Sequence, residues 1–191
     1  MTLRAAEPSA EAIATVRAHL TDLAARPQFQ HRALGGAEPT DVALAAPHDV
    51  YAIGLDRLAE GAGLETADVV GQRFLVLDDA QPVASAELAA GGGFESNEGP
   101  FVGATAEAIR AAESSPDLAD GRYELRLLRI PGVYLMALWL RDEDGEHDGD
   151  VVVPLAPAPP PIEAGRHYAL AELQPLLRQL AQERLAVSDI G

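Results

Sequence analysis

The amino-acid sequence predicts an α+β fold, a mainly antiparallel sheet of about six strands packed by about three helices. Apolar residues recur at helical spacing in only three stretches: 9–25, Pro100 to Ala112, and 170–186. Between them, short alternating or unbroken apolar runs of strand length are joined by turn residues, the pattern of hairpins. No glycine-rich strand-to-helix fingerprint follows a strand, and the long crossover units of a doubly wound sheet are missing. The length, 191 residues, is that of a single α+β domain spanning 1–191.

Ile13, Val16, Leu20 and Leu23 make one helical stripe, with Ser9 placed to cap its start and Pro27 to block its continuation. Residues 28–48 are rich in Gly, Pro and Ala without a clear period and read as a loop-rich linker. The sheet and its helix occupy 50–155. Tyr51, Ile53 and Leu55 alternate with smaller residues as a short strand, and helical turns follow around Asp56 to Glu60 and Glu65 to Val70. Gln72 to Leu77 and Pro82 to Leu88 form a hairpin around a four-residue loop, Asp78 to Gln81. Ala84, Ala86 and Leu88 share a face on its second strand, and the two alanines leave room for a helix to approach.

Gly91 to Gly93 break the chain, and Phe94 to Gly99 read as an entry loop before Pro100, which fits the first position of a helix. Phe101, Ala104, Thr105, Ala108, Ile109 and Ala112 form that helix's buried stripe. Tyr123, Leu125 and Leu127 alternate with Glu124 and Arg126, a strand with one wet face. Val133 to Leu140 carry no charged side chain and predict a strand covered on both faces. Helices supply one cover and another layer of the chain or a second subunit the other, so a homodimer is one way to complete this core. Pro131-Gly132 suits a tight hairpin poorly and predicts a wider connection. Val151 to Leu155 form a last strand that Pro154 places at an edge or end, and 156–161 form a Pro-rich, polyproline-like connector. Leu173, Leu177 and Leu180 mark a C-terminal helix, with Pro175 expected in its first turn.

Thirty acidic residues against 14 arginines and no lysine give a net charge of -16. With abundant Ala, Gly and Pro, the absence of lysine looks like the residue usage of a high-GC bacterial genome. A field of this sign repels phosphate backbones and anionic lipid heads, so neither nucleic acid nor membrane is an expected partner. A protein partner, favoured if basic, is expected instead. No cysteine is present, which removes disulfides, thiolate nucleophiles and Cys-based metal sites. The N-terminus lacks the unbroken apolar stretch of a signal peptide, and the chain reads as cytoplasmic.

Asp142, Glu143, Asp144, Glu146, Asp148 and Asp150 crowd one short segment with His147. The spacing lacks the glycine and distal glutamate of an EF-hand, so the segment reads as a solvated hairpin tip whose carboxylates are available to a protein partner. On that reading, replacing Asp142, Asp144, Asp148 and Asp150 by Asn leaves the fold intact. The run Gly91 to Pro100 has no lysine to bind phosphate, but Glu95, Asn97 and Glu98 are candidate contacts for a polar ligand. Residues 122–141 carry four arginines and one acid, whereas 33–121 carry 16 acids and three arginines. Arg126 and Arg129 are therefore candidates for recognising a carboxylate. The five histidines are scattered without zinc-site spacing, no G-x-S-x-G elbow is present, and no metal or cofactor is expected.

These observations point first to a non-catalytic, acidic protein-interaction module. A small-molecule enzyme or binder using Glu95, Glu98 and the strand arginines is the first alternative, and a DNA mimic or toxin-neutralising protein is the second. A pocket holding opposed carboxylates or an Arg-carboxylate pair favours the small-molecule reading; a continuous acidic face without a pocket favours the mimic.

Overall fold

Alternation of apolar and polar residues from Arg122 to Ile130 builds the strand that has most neighbours in the sheet. The computed structural model describes residues 1–26, 42–145 and 147–188. In chain order the elements are β1 (Thr2–Arg4), α1 (Ala10–Ala24), β2 (Ala43–Ala52), α2 (Leu55–Glu60), β3 (Asp68–Asp78), β4 (Gln81–Ala89) and β5 (Phe94–Asn97). They continue as α3 (Pro100–Ser114), β6 (Arg122–Ile130), β7 (Leu135–Asp142), β8 (Val151–Pro154), β9 (Tyr168–Ala169) and α4 (Leu170–Ser188). The strands form one sheet in the order β5-β4-β3-β2-β6-β7-β8-β9. Two antiparallel meanders, β2 to β5 and β6 to β9, meet where β2 and β6 run parallel. β1 also lies parallel to β6, pairing Thr2 to Arg4 with Arg122 to Glu124 beyond the end of the β2 pairing.

The class is α+β with a mostly antiparallel sheet, but the described residues hold nine strands and four helices rather than about six and three. The additional strands β1, β5 and β9 have three, four and two residues, too short to show a period. β2 starts at Ala43, so 43–48 is strand where a loop was expected; 28–41 lies outside the described residues. Small residues and Pro47 hide this half of β2 in the sequence. A register shift between Ala45 and His48 accommodates the proline, with Ala46 at φ 45°.

Local chemistry explains the remaining boundaries. The Ser9 hydroxyl accepts the Ala12 N–H at 3.0 Å and starts α1, and Pro100 opens α3. The β3–β4 hairpin has a tighter turn than expected: Asp79 and Ala80 both take positive φ, at 46° and 66°, as a turn matching strand twist requires. A turn of 3-10 helix over Pro131–Val133 makes the β6–β7 connection the wider one predicted. Residues 156–161 turn instead of running as an extended polyproline segment, and Pro175 lies inside α4, past its first turn. The α4 start at Leu170 follows directly from β9, which no cap residue in the sequence announces.

Successive strand residues face opposite sides, which divides the core in two. On one face Leu125, Leu127, Leu138, Leu140 and Val50 pack with Ala108 and Ala112 of α3. On the other, Leu128, Ile130, Ala137 and Trp139 pack with Leu173 and Leu177 of α4 and Leu58 of α2. Val16 and Leu20 of α1 cover Phe74, Val76, Ala84 and Ala86, so a helix does approach over the two alanines. Both covers of β7 therefore come from this chain. No helix among the described residues is long and apolar enough to cross a membrane.

Leu138 is fully buried beneath α3. Leu138→Ala is expected to lower unfolding free energy by about 2–5 kcal/mol. Leu138→Asp should not reach the folded state, because a carboxylate without a partner would be placed in the core. Urea titration followed by fluorescence of Trp139, the single tryptophan, reads both; an unchanged Leu138→Asp midpoint would refute this packing.

Candidate functional site

Arg73 is the one charge in β3 away from its ends and Glu87 the one charge in β4, and strand pairing sets them opposite one another. Arg73 Nε and Nη2 donate to Glu87 Oε2 at 2.9 and 2.7 Å, with side chains only 8% and 4% exposed. Arg129 approaches from β6 and places Nη1 3.2 Å from Glu87 Oε1. Gly71 keeps space open beside the carboxylate, since a Cβ there would stand 3.4 Å from Glu87 Oε1 and 2.6 Å from the Leu88 carbonyl. Two guanidiniums thus share one carboxylate, an arrangement with one excess positive charge. Arg73 Nη1 has only a weak acceptor, Met136 Sδ at 3.3 Å.

These groups floor a cavity of about 320 Å³, a size suited to a small ligand. Its wall comes from β4 and β5: Ser85, Glu95, Ser96 and Asn97. Glu95 stands opposite Glu87 in strand register and is exposed. The cavity therefore brings together Glu95, Asn97 and Arg129 among the residues singled out in the sequence. Glu98 lines an adjoining hollow with Asn97 and Gly99. Arg126 is on the opposite face, because positions 126 and 129 differ by an odd number along one strand. There its guanidinium lies 4.7 Å from the Tyr51 ring and 5.1 Å from Trp139, and donates to Glu124 at 2.8 Å. Arg73, Glu87 and Ser85 were missed. The available signal was a pair of opposite charges isolated in the two strands of one predicted hairpin, displaced by one position at the bulge between Val76 and Leu77.

His48 is paired with Arg73 in register and is completely buried. Its Nδ1 lies 2.7 Å from the Ala46 carbonyl, and its Nε2 has no partner among the described residues. Burial above all, with Arg73 adding repulsion, pushes its pKa down to about 4 against the hydrogen bond to Ala46.

The acidic segment is built differently from a solvated tip. Asp150 is only 1% exposed and accepts Trp139 Nε1 at 2.9 Å and the Asp142 N–H at 2.8 Å. His147 Nδ1 lies 3.1 Å from it and Arg141 Nη1 3.5 Å. Glu143 bridges Arg4 and Arg122, and Asp142 Oδ1 accepts the Asp144 N–H at 3.0 Å. Asp144 and Asp148 remain exposed, and Glu146 lies outside the described residues. Of the four Asn replacements expected to leave the fold intact, the one at Asp150 bears on stability, because its carboxylate collects donors that an amide cannot all satisfy. No group of three or more metal-ligating side chains is arranged for an ion among the described residues.

Two outcomes follow from these environments. Asp150→Asn should cost about 1–3 kcal/mol in unfolding free energy, whereas Asp144→Asn and Asp148→Asn stay within about 0.5 kcal/mol of wild type by chemical denaturation. For His48 the unfolded state binds a proton first, so stability is full above about pH 6.5 and falls as the pH drops toward 4. Across that window the loss is about 3 kcal/mol, and His48→Gln should remove this part of the pH slope in matched urea titrations. Parallel slopes for the two proteins would contradict the neutral buried imidazole. Compared with protein-family models, curated proteins and solved structures, the chain has no match, so the site is read from its own residues.

Proposed function

We propose that this protein is a small-molecule binder whose ligand presents a carboxylate to Arg129 in the cavity between β4, β5 and β6. The observation that carries this reading is the uneven commitment of the floor: Arg73 donates two hydrogen bonds to Glu87, whereas Arg129 only approaches it, with Nη1 3.2 Å from Oε1. Its Nε and Nη2 have no protein partner among the described residues. A guanidinium can hold a carboxylate through two parallel N–H donors, and Arg129 lines the cavity with no hydrogen bond of its own among the described residues. An Arg-carboxylate pair in a pocket is also the feature that separates a binder from a docking module or a mimic. No nucleophile-base pair supports a reaction there, so the proposal is binding without catalysis.

The acidic surface supports a second reading, a basic protein partner, through the net charge of -16 and the exposed Asp144 and Asp148. Asp150 and Glu143 are committed within the fold and contribute little to such a surface.

The test is a titration of the protein with short monocarboxylates and amino acids, followed by thermal shift and by the Arg129 side-chain resonances. Carboxylate-bearing members should raise the melting temperature and perturb Arg129. Arg129→Gln, at a partly exposed position, should stay folded and lose at least tenfold in affinity, the scale of one charge-assisted contact. A panel that leaves Arg129 unperturbed in wild type refutes the reading.

A further inference from the structure

Resting on that binding site, we infer that its ligand is a zwitterion of the α-amino-acid type, with its carboxylate on Arg129 and its ammonium on Glu95. Both residues line one cavity and carry opposite charges, yet they form no ion pair with each other among the described residues. Arg129 is ion-paired to Glu87 but makes no hydrogen bond, and Glu95 has no hydrogen bond or ion pair, within the described residues. Glu95 cannot relieve this by turning to Glu87, its neighbour across the β4–β5 pairing, because like charges repel there. Glu87 is the weaker site for a ligand ammonium, since two guanidiniums already offset its charge, Arg73 bonded to Oε2 and Arg129 3.2 Å from Oε1. The ammonium site is consequently Glu95 at the rim, and the carboxylate site is Arg129 nearer the floor.

Overall charge favours the same class. At -16 the protein repels a free anion on approach, and a mono- or dicarboxylate carries that cost into the cavity. A zwitterion has no net charge and escapes it. Asn97 also lines the cavity, with its Oδ1 taken by the Gly99 N–H. The cavity volume of about 320 Å³ admits an amino acid with a side chain of several carbons.

Calorimetric titration of the full chain with matched pairs tests the assignment: alanine and propionate, norvaline and valerate, leucine and 4-methylpentanoate, glutamate and glutarate. In at least one pair the amino acid should bind tenfold or more tightly than its deaminated partner. Glu95→Gln, exposed and outside the core, should reduce that ratio to near one while leaving carboxylate affinity equal or higher. Arg129→Gln should weaken both members of the pair. Equal binding of amino acid and carboxylate by wild type would overturn the zwitterion and leave the carboxylate site standing. No binding by any of the eight compounds would overturn both. A preference for the amino acid that survives in Glu95→Gln would overturn the role given to Glu95.

Discussion

The parallel pairing of β2 with β6, from Asp49 against Arg126 to Ala52 against Arg129, governs the arrangement of everything around it. Parallel neighbours cannot be joined by a tight turn. The chain between them must travel out and return, and here it does so as α2, three strands and α3. That journey produces the first meander, and β6 then begins the second. α3, as the last element of the return, lies across the face holding Leu125, Leu127 and Leu138. The opposite face is left to α1 over the first meander and to α2 and α4 over the second. Because these covers come from the same chain, the apolar run of β7, Leu135 to Leu140, is covered without a second copy.

The same pairing creates the charged group at the cavity. Arg73 and Glu87 belong to the first meander, Arg129 to the second, and only the β2–β6 junction brings them within reach. A buried ion pair costs desolvation that its Coulombic attraction barely repays, and well-packed apolar residues often serve stability as well or better. Arg73 and Glu87 are therefore a poor explanation of why the sheet is stable. Their geometry is better understood as a preset floor: Glu87 orients two guanidiniums, and burial keeps it from turning toward solvent. Such preorganisation lowers the side-chain ordering cost of holding a ligand.

The acidic segment after β7 shows how far composition can mislead about exposure. Six carboxylates in sequence suggest a solvated, repulsive tip, but Asp150 collects an indole N–H and a backbone N–H while Glu143 sits between two arginines. Trp139 explains this. A buried indole needs an acceptor, and the strand-end carboxylate at Asp150 supplies it. The positive stretch from Arg122 to Arg141 is likewise spent partly on local partners: Arg122 on Glu143 and Asp144, Arg126 on Glu124, Arg141 on Asp150. Of these four arginines only Arg129 lines the cavity of about 320 Å³.

The sequence alone determined the class, the three long helices with the Ser9 and Pro100 starts, and most strands with a clear period. These features depend on residues close along the chain: a cap, a turn, an apolar stripe. Strands β1, β5 and β9 were not legible, since segments of two to four residues acquire strand geometry only from a neighbour that supplies their hydrogen bonds. Glu95, Asn97 and Arg129 were legible as candidate ligand contacts, but grouped with Arg126, whose opposite orientation was already implied by strand parity. Arg73, Glu87 and the parallel junction that adds Arg129 depend on contacts across a register shift and between two meanders. Those contacts are set by sheet pairing, a long-range choice that no local pattern encodes, and the tertiary structure decided them.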